Sequence, residues 1–224
     1  MADVWTIVHA ERAALIADLE AIDDQQWDEP SLCGEWSVHD VVAHLIDTAR
    51  TTRLSFVIAL ARARFDFDRQ NTRGVERWRG ASPQETLEQL RRVATRTSTP
   101  PAHLDTRIVE EIVHGEDIRR PLGLTRNYPR DAVVRALRLQ ARTSASLGGA
   151  KESIAGIRLT ATDADVTIGE GSDVAGPALS LLLAISGRRV ALDELTGPGA
   201  TVLRAAISSR TDSQADGPGR PRPA

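Results

Sequence analysis

A carboxylate and an imidazole lie four residues apart in the segment Glu110-Ile-Val-Glu-His114. On an α-helix this spacing puts the two side chains one turn apart on the same face, where both can reach one ion. Asp117 extends that polar stripe by nearly another turn. Such ligands suit zinc. The pattern is compatible with a metal site, but taken alone it is more often an exposed surface pair.

The neighbours of Glu110 and His114 favour the metal site over the surface pair. Val109 and Val113 adjoin the polar stripe, so the two polar side chains are expected at the border of a packed face. A carboxylate at such a border needs a partner. We therefore interpret Glu110 and His114 as candidate ligands.

His44 is the third candidate ligand. On a helical wheel it lies at one edge of an apolar stripe, beside Asp40 and Asp47. Two polar edges that face each other in a helical bundle form a cleft. The sequence leaves a second interpretation open, in which one of the two aspartates satisfies the histidine on its own helix.

Cys33 is the only cysteine of the chain, which excludes an intrachain disulfide and a Cys-rich zinc site. Close to a helix start it could be an activated thiolate, or a small packed residue before the cap. Trp36 is interpreted as an apolar anchor, with the wall of a substrate pocket as the alternative.

Predicted helices carry these candidates. Apolar periodicity predicts a first helix from Val4 to Ile22, and Ser37 with Asp40 forms a capping box that begins a second one, reaching Ala63. The polar segment 64–80 is expected to be a connection or a lid. Three further helices complete the predicted bundle. One begins at Ser82-Pro83, another includes Ile108 and ends at Arg120, and the last runs from Arg130 to Leu147.

After Ala150 apolar residues recur at every second position instead of at helical spacing, and residues 157–168 therefore predict a β-hairpin. Helices are expected at Ala178–Ile185 and Ala200–Ile207. The predicted fold class is mainly α: an antiparallel helical bundle over residues 1–150, then a small α+β domain over 151–208. Residues 209–224 are polar and rich in Gly and Pro, and are predicted to be a disordered tail.

Composition narrows the function classes. The net charge is -3 and the basic residues are dispersed among acidic ones, which argues against nucleic acid as a partner. No apolar run approaches the roughly 20 residues of a membrane span, and no signal-peptide pattern begins the chain. A cytoplasmic protein that acts on small molecules is expected, and the oligomeric state stays open.

Several motifs recur in one known family. They are Cys33-Gly34-Glu35-Trp36-Ser37 running into Asp40 and Ala43-His44-Leu45, then Glu110-x-x-x-His114-x-x-Asp117, Arg120-Pro121-Leu122-Gly123, Gly176-Pro177-Ala178 leading into Leu181-Leu182-Leu183, and Gly187-Arg188. Together they resemble the mycothiol-dependent maleylpyruvate isomerase family. The resemblance spans nearly the whole chain except the tail.

The resemblance implies a helical metal-binding domain of the DinB type. The family's His, Glu, His ligand set falls on His44, Glu110 and His114 and leaves an open coordination position for water or a thiol. A divalent metal, zinc in the first place, is the expected cofactor. We assign to Asp117 the orientation of His114. Arg188 is a candidate anion contact in catalysis, or a solvated charge after a helix cap.

One position departs from the family. His39 stands where the family more often has Arg or another polar residue, so contacts from the start of the second helix are expected to differ.

The resemblance also implies a reaction. Mycothiol would be the co-substrate, and its addition to a conjugated electrophile lets a double bond rotate; S-transfer to a small electrophile is the related outcome. Two rivals remain: a non-catalytic metal-containing protein that binds a small ligand or responds to stress, and a metal-dependent hydrolase. The hydrolase needs a general base, and Glu111 points about a quarter-turn away from the ligand stripe.

Overall fold

The computed structural model describes the backbone of residues 2–215 and the side chains of residues 2–209. By its internal contacts the chain divides into two units between Tyr128 and Pro129. None of the described helices is both long and apolar enough to cross a membrane.

The first unit consists of helices joined by short connections. They are α1 (Val4–Glu20), α2 (Val38–Arg50), α3 (Arg53–Arg62), α4 (Phe67–Trp78), α5 (Pro83–Val93) and α6 (Thr106–Arg119). A single 3-10 turn (Gln26–Asp28) lies between α1 and α2. Helix α2 packs against α4, α5 and α6, so the helix that carries His44 is the centre of this unit.

Local signals begin these helices where the sequence predicts. The Ser37 side chain accepts a hydrogen bond from the backbone of Asp40, whose carboxylate accepts one from the backbone of Ser37, so the predicted capping box is present. Ser82 caps α5, which has Pro83 in its first turn. Both devices satisfy backbone N–H groups that have no partner inside the helix.

An apolar core holds α1, α2 and α5 together with the end of α6. Its buried members are Leu15, Leu19, Trp27, Val38, Val41, Val42, Leu45, Ile46, Ala49, Leu87, Leu90, Val93 and Ile118. Cys33 and Trp36 are partly buried against it. The core therefore fixes the apolar face of α2 and leaves its polar edge to face α6.

The second helix is shorter than predicted. It ends at Arg50, and Thr52 begins α3 with a capping box of its own, formed with Ser55. No side chain of α3 is buried, so the apolar periodicity that extended the prediction to Ala63 does not come from packing into the core.

The polar segment 64–80 is not a plain connection, because it contains α4. Asp66 caps this helix by accepting from the backbone of Arg69. Only Gly74 and Val75 of α4 are buried. A Cβ atom on Gly74 would lie 2.5 Å from a carboxylate oxygen of Asp47, so glycine lets α4 approach α2 closely.

The second unit mixes helices with a small sheet. Helix α7 (Arg130–Arg142) packs against α8 (Ala178–Ile185). Between them lie β1 (Ile157–Ala161), β2 (Thr167–Ile168) and β3 (Ser172–Gly176), in the order β2-β1-β3. The predicted hairpin is the antiparallel β1–β2 pair, with Leu159 opposite Ile168. The parallel β1–β3 pair was not predicted.

The chain ends differently from the prediction. Helix α9 runs from Ala200 to Ala215 and does not end at Ile207; Leu203 and Ile207 are its buried residues among the described side chains. Disorder remains a prediction for residues 216–224, which lie outside the described residues. The predicted domain boundary near residue 150 also remains a prediction, and α7 belongs by its contacts to the second unit.

A buried ion pair joins α1 to the helix that carries two of the candidate ligands. Arg12 Nε donates to Glu111 Oε1 at 2.7 Å, and both side chains are at most 3% exposed. Arg12 Nη1 also donates to the carbonyls of Val93 and Arg96. Because water cannot replace a partner at this depth, the pair requires α6 to keep its register against α1.

This pair generates a stability prediction. Arg12→Ala leaves the Glu111 carboxylate buried without its cation, and it should lower the free energy of unfolding by about 3–5 kcal/mol. Urea denaturation followed by circular dichroism measures the change. The double variant Arg12→Met/Glu111→Leu should lose markedly less, because it leaves no unpaired charge. A loss below about 1 kcal/mol in Arg12→Ala would show that the pair does not hold α6.

Candidate metal centre

His44 lies in the second turn of α2, and Glu110 and His114 lie one turn apart on α6. The His44 side chain is 7% exposed, and those of Glu110 and His114 are 26% and 14% exposed. The core residues on both sides of His44, Ala43 and Leu45, are fully buried, so the imidazole has little freedom. Packing of α2 against α6 therefore brings the three predicted ligands together.

One oxygen of Glu110 faces both imidazoles. Glu110 Oε2 is 3.5 Å from His44 Nε2 and 3.7 Å from His114 Nε2. One ligand atom from each of the three residues lies within 4.8 Å of the others. Bonds of 2.0–2.2 Å in a tetrahedron set ligand atoms about 3.4 Å apart, so the two measured distances suit a single ion.

The same oxygen is an unsatisfied hydrogen-bond acceptor. Glu110 Oε2 is buried and has no hydrogen-bond partner among the described residues. Leaving a charged acceptor in this state is costly. A cation between Oε2 and the two Nε2 atoms would satisfy it, so the residues present fit a divalent metal.

Asp117 lies behind His114. Its side chain is fully buried, and its Oδ2 is 2.9 Å from His114 Nδ1. A proton on Nδ1 that is donated to this carboxylate leaves the lone pair of Nε2 free on the side of Glu110. The backbone of Leu32 donates to the carbonyl of Asp117, which ties the loop before α2 to this point of α6.

The titration behaviour of the three groups reflects burial and their mutual charges. Burial lowers the pKa of His44. Burial alone would raise the pKa of Glu110, but His44, Arg107 and His114 outweigh it and hold that pKa well below its ordinary value. Burial also opposes the charged form of His114, yet the bond to Asp117 and the neighbouring Cys33 raise the pKa of His114 to about 10. The cluster therefore favours one positive charge, that of protonated His114, where a metal cation would bind.

The alternative interpretation of His44 finds no support in the geometry. Its Nδ1 has no hydrogen-bond partner among the described residues. Asp40 is engaged by Ser37 and Arg79, and Asp47 accepts from Trp78 Nε1 at 3.0 Å. Neither aspartate satisfies the imidazole on its own helix.

Cys33 and Trp36 lie around the cluster. The ring of Trp36 is 5.1 Å from that of His44, centroid to centroid, at a tilt of 45°. Cys33 is partly buried, and its sulfur groups with His114 and Asp117 within 4.8 Å. The loop before α2 thus supplies an aromatic wall and a thiol beside the candidate ligands.

Other residues singled out in the sequence lie elsewhere. His39 is buried beneath the Trp27 ring, and its Nε2 is 2.7 Å from the hydroxyl of Thr86, so it contacts α5 instead of the cluster. Glu111 is paired with Arg12. Arg188 belongs to the second unit, where its Nη1 donates to the carbonyl of Ser186.

Sequence reasoning missed Arg107. This residue lies three positions before Glu110 on α6, its side chain is 4% exposed, and its Nη2 is 3.7 Å from Glu110 Oε1. The spacing of three was visible in the sequence, but an arginine in a polar stripe is ordinarily solvated. Only the packing of α2 over α6 shows that this one is buried.

The sequence was compared first with family profiles and with proteins of curated description. The profile of the mycothiol maleylpyruvate isomerase N-terminal domain matches residues 8–139. No protein with a curated description matches the sequence.

Solved structures of similar fold agree with the profile. Crystal structures of the mycothiol-dependent maleylpyruvate isomerase and of a single-residue mutant of it each superpose with a TM-score of 0.63. Each match covers 88% of this chain and 92% of the other, at 14% identity. At this identity the likeness shows the fold, and it confirms the predicted mainly helical class with a small α+β part.

The match to the family profile extends over more than half of the sequence and includes all three candidate ligands. The predicted resemblance is confirmed: the chain belongs to the mycothiol maleylpyruvate isomerase N-terminal domain family.

Proposed function

We propose that this protein is a cytoplasmic isomerase or S-transferase that uses mycothiol on a small electrophilic substrate. A divalent metal, zinc, would be held by His44, Glu110 and His114. The observation that carries the metal site is the buried Oε2 of Glu110, which faces two imidazole nitrogens and has no hydrogen-bond partner of its own. Family membership supports the thiol and the isomerase chemistry.

A bound divalent ion lowers the pKa of a thiol that reaches it, so that the thiol reacts as a thiolate near neutral pH. The protein's own residues hold the site for this chemistry. Asp117 keeps the His114 ring in one orientation, and Trp36 packs against the ring of His44. Arg188 is retained as the proposed anion contact of the second unit.

The isomerisation needs no further reactant. The thiolate adds to one carbon of a conjugated double bond, and the electron pair moves to the electron-withdrawing group. The former double bond rotates, the double bond re-forms, and the thiolate leaves unchanged. In S-transfer the same addition is followed by protonation of the resulting carbanion, with the proton that the thiol lost on ionisation, and the thioether is the product.

The two rival functions differ in what they require of the site. A hydrolase needs a general base, and the ion pair with Arg12 removes Glu111 from that role. A non-catalytic binding protein would use the same ligands without turnover. The experiments below separate it from the enzyme.

The first functional prediction concerns metal content. The purified protein should hold about one zinc ion per chain, and His44→Ala or His114→Ala should weaken zinc binding by more than about 100-fold, because each removes a ligand. Elemental analysis and chelator competition measure this. His103→Ala changes an exposed imidazole and should keep the metal. Full metal content in both ligand variants would contradict the assignment.

The second prediction concerns protons. Near neutral pH and without metal, His114 is expected to be an imidazolium, since its pKa is about 10, and His44 a neutral imidazole, since its pKa is lowered. Zinc binding should therefore release about one proton per ion, and zinc affinity should fall as the pH falls. Calorimetry in buffers of different ionisation enthalpy counts the proton.

Asp117→Asn is the matched variant for this measurement. It removes the hydrogen bond that contributes most to the raised pKa of His114, so the number of released protons should decrease. Equal release by both proteins would contradict the proposed protonation state.

The third prediction concerns catalysis. The zinc-loaded protein should catalyse thiol-dependent isomerisation of a conjugated small molecule such as maleylpyruvate, with mycothiol preferred over glutathione, and metal removal should abolish the reaction. Cys33→Ser should retain turnover if the nucleophile comes from solution. Complete loss of activity in a folded, metal-loaded Cys33→Ser would assign the nucleophile to the protein. Metal binding without any thiol-dependent turnover would support the binding protein.

A further inference from the structure

Arg107 is a buried cation beside the candidate metal centre. Its side chain is 4% exposed, and Nη2 lies 3.7 Å from Glu110 Oε1. Nη1 donates a long hydrogen bond of 3.4 Å to the carbonyl of Thr48 on α2. The guanidinium therefore lies between the two helices that supply the three ligands.

These contacts give Arg107 a weak structural reason to be buried. Its Nε has no hydrogen-bond partner among the described residues. Arg12 also has one nitrogen, Nη2, without a partner in the described part of the chain, but it makes a 2.7 Å ion pair and donates to two carbonyls from the same depth. A guanidinium offers five N–H donors, and burying it without satisfying them costs stability. The position of Arg107 points to an effect on its charged neighbour, Glu110.

The two carboxylate oxygens of Glu110 have different surroundings. Oε1 is the one within ion-pair distance of Arg107. Oε2 is the one that faces His44 and His114. A carboxylate can bind a metal through one oxygen or through both. An arginine that attracts one oxygen disfavours binding of the metal through both oxygens.

We propose that Arg107 is a positioning residue that keeps Glu110 a one-oxygen ligand and thereby preserves a coordination position for the thiol. Three protein ligands with one open position are the arrangement of catalytic zinc sites. Without Arg107, Oε1 is free to become a fourth ligand atom from the protein. The proposal rests on the metal site of the proposed function and adds to it the residue that keeps it open.

Because Arg107 is positively charged, the proposal predicts the direction in which metal affinity changes when this residue is replaced. A cation near the site disfavours a second cation, so its removal should leave metal binding as tight as before or tighter. Removal of Asp117 should do the reverse and weaken the metal by about 10- to 100-fold. A residue that only supports the fold would produce neither pattern.

The test uses the full chain loaded with cobalt, whose visible absorption is strong in four-coordinate sites and weaker in five-coordinate ones. In Arg107→Gln, Oε1 is expected to join the two imidazoles, Oε2 and a solvent molecule as a fifth ligand atom. This variant should therefore retain cobalt, lose several-fold in visible absorption, and bind a small thiol such as 2-mercaptoethanol about tenfold or more weakly than the wild type. Thiol binding is followed by the sulfur-to-cobalt charge-transfer band. Arg107→Met, which keeps much of the side-chain length, is the second variant and should behave alike.

Two comparators complete the design. Arg92→Gln makes the same charge change at an exposed site on α5 and should leave the spectrum and the thiol affinity unchanged. Asp117→Asn should weaken cobalt binding without a fall in absorption per bound ion.

Several outcomes would overturn the proposal. Unchanged absorption and thiol affinity in the two Arg107 variants would show that Glu110 needs no such restraint. Loss of metal from both, or failure of both to fold, would assign Arg107 to stability. If the wild type binds no cobalt, the proposed metal site fails together with this inference; if it binds cobalt and thiol normally, only the role of Arg107 is at stake.

Discussion

A buried carboxylate oxygen that faces two imidazole nitrogens without a hydrogen-bond donor is the constraint on which this site depends. Glu110 Oε2 lies 3.5 Å and 3.7 Å from the two Nε2 atoms, and burial makes an unpaired charge costly there. A proton on one imidazole relieves the cost in part, and this is reflected in the raised pKa of His114. A divalent cation would relieve it more fully, because it can bond to all three atoms at once.

Maintaining that arrangement requires α2 and α6 to keep a fixed register, and polar contacts as well as the apolar core provide it. Apolar packing is tolerant of small sliding movements, whereas ion pairs with defined geometry are not. Arg12 with Glu111 fixes α6 against α1, and about two turns further along α6 Arg119 Nε donates to Asp18 at 2.6 Å. Arg119 is fully buried. Ion pairs on the sides of α6 that do not carry the candidate ligands thus fix this helix, and with it the positions of Glu110 and His114.

The sequence alone pointed to the three candidate ligands that the structure brings together, because each signal was local or came from the family resemblance. Glu110 and His114 follow helical spacing, and the capping box at Ser37 places His44 on a helix. Arg107 and the partner of Glu111 could not be predicted, since Arg12 lies 99 residues from Glu111 and no local pattern joins them. Helix α4 was not predicted because only its residues Gly74 and Val75 are buried, so that its sequence shows no apolar periodicity.

The second unit shows the same limit. The hairpin of β1 and β2 was readable from alternation, whereas β3 buries few apolar side chains and is defined by its parallel pairing with β1. The break between α2 and α3 depends on the Thr52 and Ser55 capping box, a pattern weaker than Ser with Glu or Gln. The bounds of helices and strands that are set by such contacts can be determined only from the tertiary structure.

The placement of Cys33 bears on why the proposed chemistry takes its thiol from solution. Among the described residues its sulfur groups with His114 and Asp117, whereas the cluster of His44, Glu110 and His114 does not include it. An isomerase must release its nucleophile after the double bond has rotated. A protein thiol fixed beside the metal would also occupy the coordination position that the next thiol needs. In the proposed site, the nitrogen and oxygen ligands His44, Glu110 and His114 would leave that position to a thiol that can enter and leave.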